Sequence, residues 1–410
     1  MKHIVVIGGG FAGLWSAMGA ARELDELHIA PDDVAITLIS RDRYHSIRVR
    51  NYERDLSNVR VPLDQVLAPI GVRRVEGDVT GIDFARRQLH VETAGETMTL
   101  LYDRLVCAAG SRLHRPDIPG LEQYGFSVDT YDEAVELGEH LKELHHYPDT
   151  PGRYTAVVIG ASFTGIEIAC EMPDRLRTAA ALDGRATGHT GNPRVILVDA
   201  LPSVGSALGD SARPIIEEAL SALGVERRLA TTVQSVDDQG ITLSTGERID
   251  ALTVICATGL RASPLADLFP VERDRWGRLP VDEFLKVRGV DNVFAAGDIA
   301  AAIVDKQHAS MMSCQHSIPT GIFAGHNAVC DLLGKKPLPL FIDWYVTILD
   351  LGPWGAVYTN GWERKVVASG AEVAQVKRHI NSVRIYPPLS GDRREILDAA
   401  APIIQPAPAQ

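Results

Sequence analysis

Gly8-Gly9-Gly10-Phe11-Ala12-Gly13 places G-x-G-x-x-G between an apolar run ending at Ile7 and a helix-like stretch from Leu14 to Leu24. In that setting the spacing does chemistry. Gly8 permits a tight turn, Gly10 lets backbone approach a pyrophosphate, and Gly13 lets the helix pack on the strand with its N-terminus facing the anion. A dinucleotide is the expected ligand. A second copy, Gly160-Ala161-Ser162-Phe163-Thr164-Gly165, has serine in the middle, where a Cβ and hydroxyl narrow the approach to phosphate. Each motif alone is weak and also fits a plain strand-to-helix turn; the strand context and the duplication argue for binding.

The acids that follow separate the two copies. Asp199 ends the apolar strand Val195-Ile196-Leu197-Val198, where a carboxylate hydrogen-bonds both ribose hydroxyls and repels a 2′-phosphate, which favours NADH over NADPH. The first copy's strand, Ile36-Thr37-Leu38-Ile39, ends instead at Ser40-Arg41, the candidate cofactor-binding pair there. Either Ser40 and backbone groups hold the ribose, or Asp42 turns inward.

These motifs need strands and helices to position them, and the elements come in duplicate. VVIGGGFAG (5 to 13) reappears as VVIGASFTG (157 to 165), and LVCAAGSR (105 to 112) as VICATGLR (254 to 261). Gly8 to Gly110 and Gly160 to Gly259 both span about a hundred residues, so a whole unit is repeated. In each unit a strand, glycine turn and helix lead to a further strand, Ala35 to Ser40 or Arg194 to Asp199, which makes a βαβ unit of a parallel sheet. Residues 72 to 100 and 225 to 250 read as short antiparallel additions, and Leu182 to Pro193 as a surface loop. The fold class is therefore α/β, with two Rossmann-like dinucleotide-binding domains and a smaller C-terminal region. That last region, 336 to 410, is rich in aromatics, and its tail from Pro402 has no periodic pattern and is expected to fray.

Composition removes several functions. With 41 Lys plus Arg against 53 Asp plus Glu, the net charge of -12 lacks the attraction to phosphate that non-specific nucleic-acid binding needs, so no nucleic-acid partner is expected. None of the five cysteines lies in a C-x-x-C or zinc-ligand spacing, so a reducing compartment and no metal are expected. No apolar run approaches the roughly 18 residues that span a bilayer. The expected location is cytoplasmic, with peripheral attachment to the inner face of the membrane as the other option.

Asn292-Val293-Phe294-Ala295-Ala296-Gly297-Asp298 adds a strand ending in Gly-Asp. Together, Gly8/Gly10/Gly13, Ala108-Ala109-Gly110, Gly160/Ser162/Gly165, Ala257-Thr258-Gly259 and Gly297-Asp298 resemble the two-dinucleotide-binding-domain flavoproteins, the pyridine nucleotide-disulfide oxidoreductase superfamily, over about residues 1 to 335. The resemblance implies an FAD domain of residues 1 to 120 and 285 to 335, interrupted by an NAD(P)H domain of 121 to 284. Asp298 would contact the FAD ribityl chain or pyrophosphate, and Glu167 would approach the nicotinamide amide, its alternative being an acid stabilised by the first turn of a helix.

The branch is set by what is missing. Disulfide reductases need neighbouring redox thiols, and Cys107, Cys170 and Cys256 read as buried structural residues. Tyr44-His45 and Ser313-Cys314-Gln315-His316-Ser317 resemble segments of the type II NADH dehydrogenase-like group, with Gln315 matching the first glutamine of a quinone-site segment and Pro319 standing at the second. The helix after it is expected over Thr320 to Leu333. The resemblance implies an FAD-dependent NADH oxidoreductase passing electrons to a quinone without redox-active cysteines, with Glu167, Gln315 and His316 as catalytic residues. The alternatives are a reductase of a ferredoxin- or rubredoxin-type protein, or an NADH-binding redox sensor. The C-terminal region would serve a dimer, membrane or acceptor interface. Val373, Val376, Ile380 and Val383 align on one helical face, more in keeping with packing on the protein's own core than with an interfacial anchor.

Overall fold

The computed structural model describes residues 1–182 and 193–408. Most of the Leu182 to Pro193 stretch expected as a loop lies outside the described residues. Strands β1 (Lys2–Ile7), β2 (Val34–Ser40), β3 (Arg73–Glu76) and β4 (Arg104–Cys107) belong to a five-stranded parallel sheet. β1 lies at its centre, Ile4 pairing with Ile36 of β2 and Arg104 of β4. The unbroken apolar run Ile4-Val5-Val6 is fully buried, as a parallel strand covered on both faces requires. Helix α1 (Phe11–Glu26) follows the first glycine turn, and residues 78–101 form a small antiparallel sheet.

Before the first sheet is complete the chain builds a second, from β5 (Gly125–Phe126), β6 (Thr155–Ile159), β7 (Arg194–Val198), β8 (Val225–Arg228) and β9 (Thr253–Cys256). Their spatial order is β5-β9-β6-β7-β8. Helix α2 (Phe163–Ala181) leaves the second glycine turn. Strand β10 (Val293–Ala295) then returns to the first sheet, where Val293 pairs with Leu105, giving the order β10-β4-β1-β2-β3. The two sheets thus share one plan, with the edge strand arriving last in the first and first in the second.

Helix α3 (Cys314–Leu333) lies along α1. A Cβ at Gly321 would run into the Ala12 carbonyl and one at Gly325 into that of Ser16, so these glycines set the close crossing. The helix starts six residues before the expected Thr320, with Pro319 inside it; Thr320 Oγ1 donates to the His316 carbonyl (2.7 Å) within this first stretch. Pro319, the sixth residue of the helix, has no N–H to give the Gln315 carbonyl, so the ladder lacks one bond there.

Strands β11 (Val346–Asp350), β12 (Ala356–Asn360) and β13 (Lys365–Gly370) form an antiparallel sheet covered by α4 (Ala371–His379). Val373 is buried on that sheet, with Val376 and Ile380 packed beside it. Val383 does not join them, being 57% exposed, because the helix widens by one residue per turn over Ile380–Arg384 and rotates it outward. No described helix is long and apolar enough to cross a membrane. The tail does not fray where it is described. Trp344 Nε1 donates to the Gln405 carbonyl (3.0 Å) and Tyr358 Oη to that of Pro408 (2.9 Å), so side-chain donors from the sheet hold a segment that has no periodicity of its own.

Candidate active site

Both glycine turns have the same construction. Gly8 has φ +110° and Gly160 φ +107°, conformations costly for any residue with a Cβ. A Cβ at Gly13 would strike the Gly8 carbonyl, and one at Gly165 the Gly160 carbonyl. Around Gly10 there is open space, so the absent side chain serves something that must approach from outside. Neither α1 nor α2 has an acid in its first turn or a side chain capping its N-terminus, which leaves their first N–H groups free to meet an anion. Both cradles fit a dinucleotide pyrophosphate.

The first cradle is closed by residues from the ends of β4 and β10. Gly110 (φ +67°) follows Ala109 beyond β4, and Gly297 (φ +73°) precedes Asp298 beyond β10. Asp298 accepts hydrogen bonds from Ser111 Oγ (2.6 Å) and Ser317 Oγ (3.2 Å), and the Arg48 guanidinium lies 4.0 Å away. Arg48 also donates to Ser111 Oγ (2.8 Å) and pairs with Asp129. Sequence reading missed Arg48, which lies in no motif.

At the other end of the cradle, a Cβ on Gly9 would lie 2.6 Å from Ser40 Oγ, so Ser40 packs against the glycine turn. Arg41 points away, 79% exposed and 4.0 Å from Asp78. Asp42 accepts from the Tyr44 amide (3.0 Å), a local turn bond, so its inward alternative is not adopted. His45 is buried beneath Phe11 and donates from Nδ1 to the Gly9 carbonyl (3.1 Å). Burial pushes its pKa down to about 4.

In the second cradle Asp199 accepts from the Ala161 amide (2.5 Å) and the Leu201 amide (2.7 Å), bracing the glycine turn. Ser162 stands at the N-terminus of α2 without capping it, and Gly259 (φ +102°) lies in open space.

The three catalytic candidates lie around β11, with Glu167 apart from the neighbours Gln315 and His316. Gln315 Oε1 accepts from the Val346 amide (3.4 Å) at its start, and Glu167 Oε1 from the Asp350 amide (3.2 Å) at its end. Lys377 on α4 donates to Glu167 (3.0 Å) and to the Ile348 carbonyl (2.8 Å). Tyr52 Oη donates to Asp350 (3.0 Å). Burial raises the Glu167 pKa, with Lys377 opposing and Asp350 adding to the rise; burial works to lower Lys377, and the Glu167 charge and hydrogen bond, together with Asp350 and Cys314, outweigh it and hold it high. His316 Nδ1 accepts from the Met311 amide (2.8 Å), and burial pushes its pKa down to about 4. The ring is therefore neutral near pH 7, with its proton on Nε2. It stacks on Tyr345 and Trp362, which also carries His308.

A duplicated parallel sheet, two glycine cradles at matching positions and an acid node closing the first define an oxidoreductase with two dinucleotide-binding domains. The chain belongs to the pyridine nucleotide-disulphide oxidoreductase family, whose model matches residues 2–321. Within that family it falls in the type II NADH dehydrogenase-like branch. It is 53% identical over 408 residues to an NADH dehydrogenase-like protein of Mycobacterium tuberculosis, covering 100% of both chains. It is 30% identical over 322 residues to a type II NADH:quinone oxidoreductase of the same organism, covering 73% of this chain and 67% of that one. The fold is similar to that of NDH2 from Plasmodium falciparum in complex with NADH, with a TM-score of 0.76, 14% identity and 97% of each chain covered.

Proposed function

We propose that the protein oxidises NADH and passes the electrons through FAD to a quinone, without a redox-active thiol. The observation that carries this reading is a set of buried polar atoms at the start of α3: Ser313 Oγ, Gln315 Nε2 and His316 Nε2 have no protein partner. Such atoms are costly unless a ligand meets them, and two are donors suited to a quinone carbonyl. Ser317, within the same turns of helix, reaches Asp298, so one helix start joins the flavin cradle to the acceptor side. Bound flavin supplies the two-electron chemistry. The chain's residues orient it: Gly8, Gly10, Gly13, Ser40, Ala109, Gly110, Gly297 and Asp298 hold FAD, with Arg41 at the outer edge. Gly160, Ser162, Gly165, Asp199 and Gly259 hold NADH, the Asp199 charge disfavouring a 2′-phosphate.

His316 Nε2–H and Gln315 Nε2–H hydrogen-bond the acceptor oxygen, and Glu167, paired with Lys377 at the far end of β11, is the proton reservoir for the site. The thiols contribute nothing: all five cysteines are free, and burial raises each above its ordinary value, Cys314 to about 11. Turnover of NADH with a water-soluble quinone tests the reading. It should hold within about twofold in Cys314→Ser and after thiol alkylation. Its loss with flavin content unchanged would overturn the thiol-free route; rapid NADH oxidation that needs an added iron–sulfur protein would overturn the quinone.

A further inference from the structure

Glu23 near the end of α1 faces His326 and Cys330, one turn apart on α3, away from both cradles and from β11. The sequence reading looked for metal sites through cysteine spacing and expected none; His326-x-x-x-Cys330 with an acid from another helix falls outside that pattern. Cys330 Sγ lies 3.4 Å from His326 Nε2 and 3.8 Å from Glu23 Oε1. A tetrahedral ion with bonds of about 2.0–2.1 Å to nitrogen and oxygen and about 2.3 Å to sulfur has sulfur-to-ligand edges of roughly 3.5 Å. The two sulfur edges thus stand close to the separations such an ion requires.

A second observation points the same way. His326 Nδ1 lies 2.8 Å from Glu23 Oε2 on side chains only 10% and 13% exposed, so acid, imidazole and thiol form one closed set largely shielded from solvent. We propose that Glu23, His326 and Cys330 bind a borderline divalent cation of the zinc class. Carboxylate and thiolate together neutralise its two charges, and the mixed oxygen, nitrogen and sulfur set suits zinc. Binding releases the thiol proton. Arg22 beside His326 and Lys335 beside Cys330 act against a free cation, while Lys335 favours the thiolate. The ion pins the far end of α1 to α3, beyond the crossing set by Gly321 and Gly325.

The test is a Co²⁺ titration of the flavin-loaded full chain, followed by visible difference spectroscopy. One equivalent should produce long-wavelength d–d bands and a sulfur-to-cobalt charge-transfer band, both removed by competing Zn²⁺. Cys330→Ser should lose the charge-transfer band, and Glu23→Gln should weaken binding by more than the roughly 10- to 100-fold that changes outside the ligand set produce. Absence of the bands from the wild-type chain, or their survival in Cys330→Ser, overturns the site and leaves the three residues as a structural link between helices. The wild-type titration decides the matter alone if a variant fails to fold.

Discussion

Lys377 and Glu167, 210 positions apart in the chain, form a 3.0 Å ion pair that joins α4 of the C-terminal region to α2 beneath the second cradle. Their side chains are only 14% and 8% exposed, so removing one partner leaves a buried charge. Lys377→Met should cost about 3–5 kcal/mol in chemical denaturation, and the double change with Glu167→Gln should recover most of it. Losing the lysine also removes what opposes burial at Glu167, so its pKa rises further. If Glu167 gives its proton to the acceptor, the alkaline limb of the reoxidation profile moves to higher pH in Lys377→Met and disappears in Glu167→Gln.

Gly10→Ala and Gly13→Ala should separate binding from folding. Open space surrounds Gly10, so alanine there should leave the melting temperature of the flavin-free chain almost unchanged while flavin content falls, because the new methyl stands where a phosphate approaches. At Gly13 the methyl meets the Gly8 carbonyl, so stability and flavin should be lost together. Thermal melts after flavin removal, with flavin absorbance measured on the same samples beforehand, check both.

His45 and His316 are buried and held near pKa 4, against about 6.5 in an unfolded chain. The unfolded state binds their protons first as pH falls. Their contribution to stability is therefore full above about pH 6.5 and is lost on the way down to about pH 4, each histidine adding a slope of about 1.4 kcal/mol per pH unit. His316→Gln should remove one such slope from a denaturation series across that window. An unchanged slope would mean that His316 is not held neutral by the fold.

Asp199 braces the second turn through two backbone amides, so Asp199→Ala should raise KM for NADH by about tenfold with little change in kcat at saturation. It should also narrow the preference over NADPH by removing the charge that repels a 2′-phosphate. Steady-state kinetics with both nucleotides measures this; an unchanged KM would place the ribose elsewhere.

The duplicated sheets and glycine turns were legible because their requirements are local: a positive φ at Gly8 or Gly160, and a missing Cβ at Gly13 or Gly165, each constrain one residue type at one spacing. Gln315 and Glu167 were singled out by resemblance, but their contacts with opposite ends of β11 depend on how the C-terminal sheet docks, and no periodicity encodes that. Lys377 lies beside the apolar stripe of Val373, Val376 and Ile380 and in no motif. Its burial follows from a partner on a different domain's helix. Arg48 and the docked tail, Gln405 to Pro408, were hidden for the same reason, since each is held by side chains distant in sequence.

Anaerobic double-mixing stopped-flow, NADH first and a water-soluble quinone second, tests the proposed electron path most directly. Fast flavin bleaching followed by fast recovery is expected in the wild-type chain, with recovery slowed selectively in Gln315→Leu and His316→Leu while bleaching stays fast. Bleaching without recovery, or equal recovery in those variants, would contradict a quinone site at the start of α3.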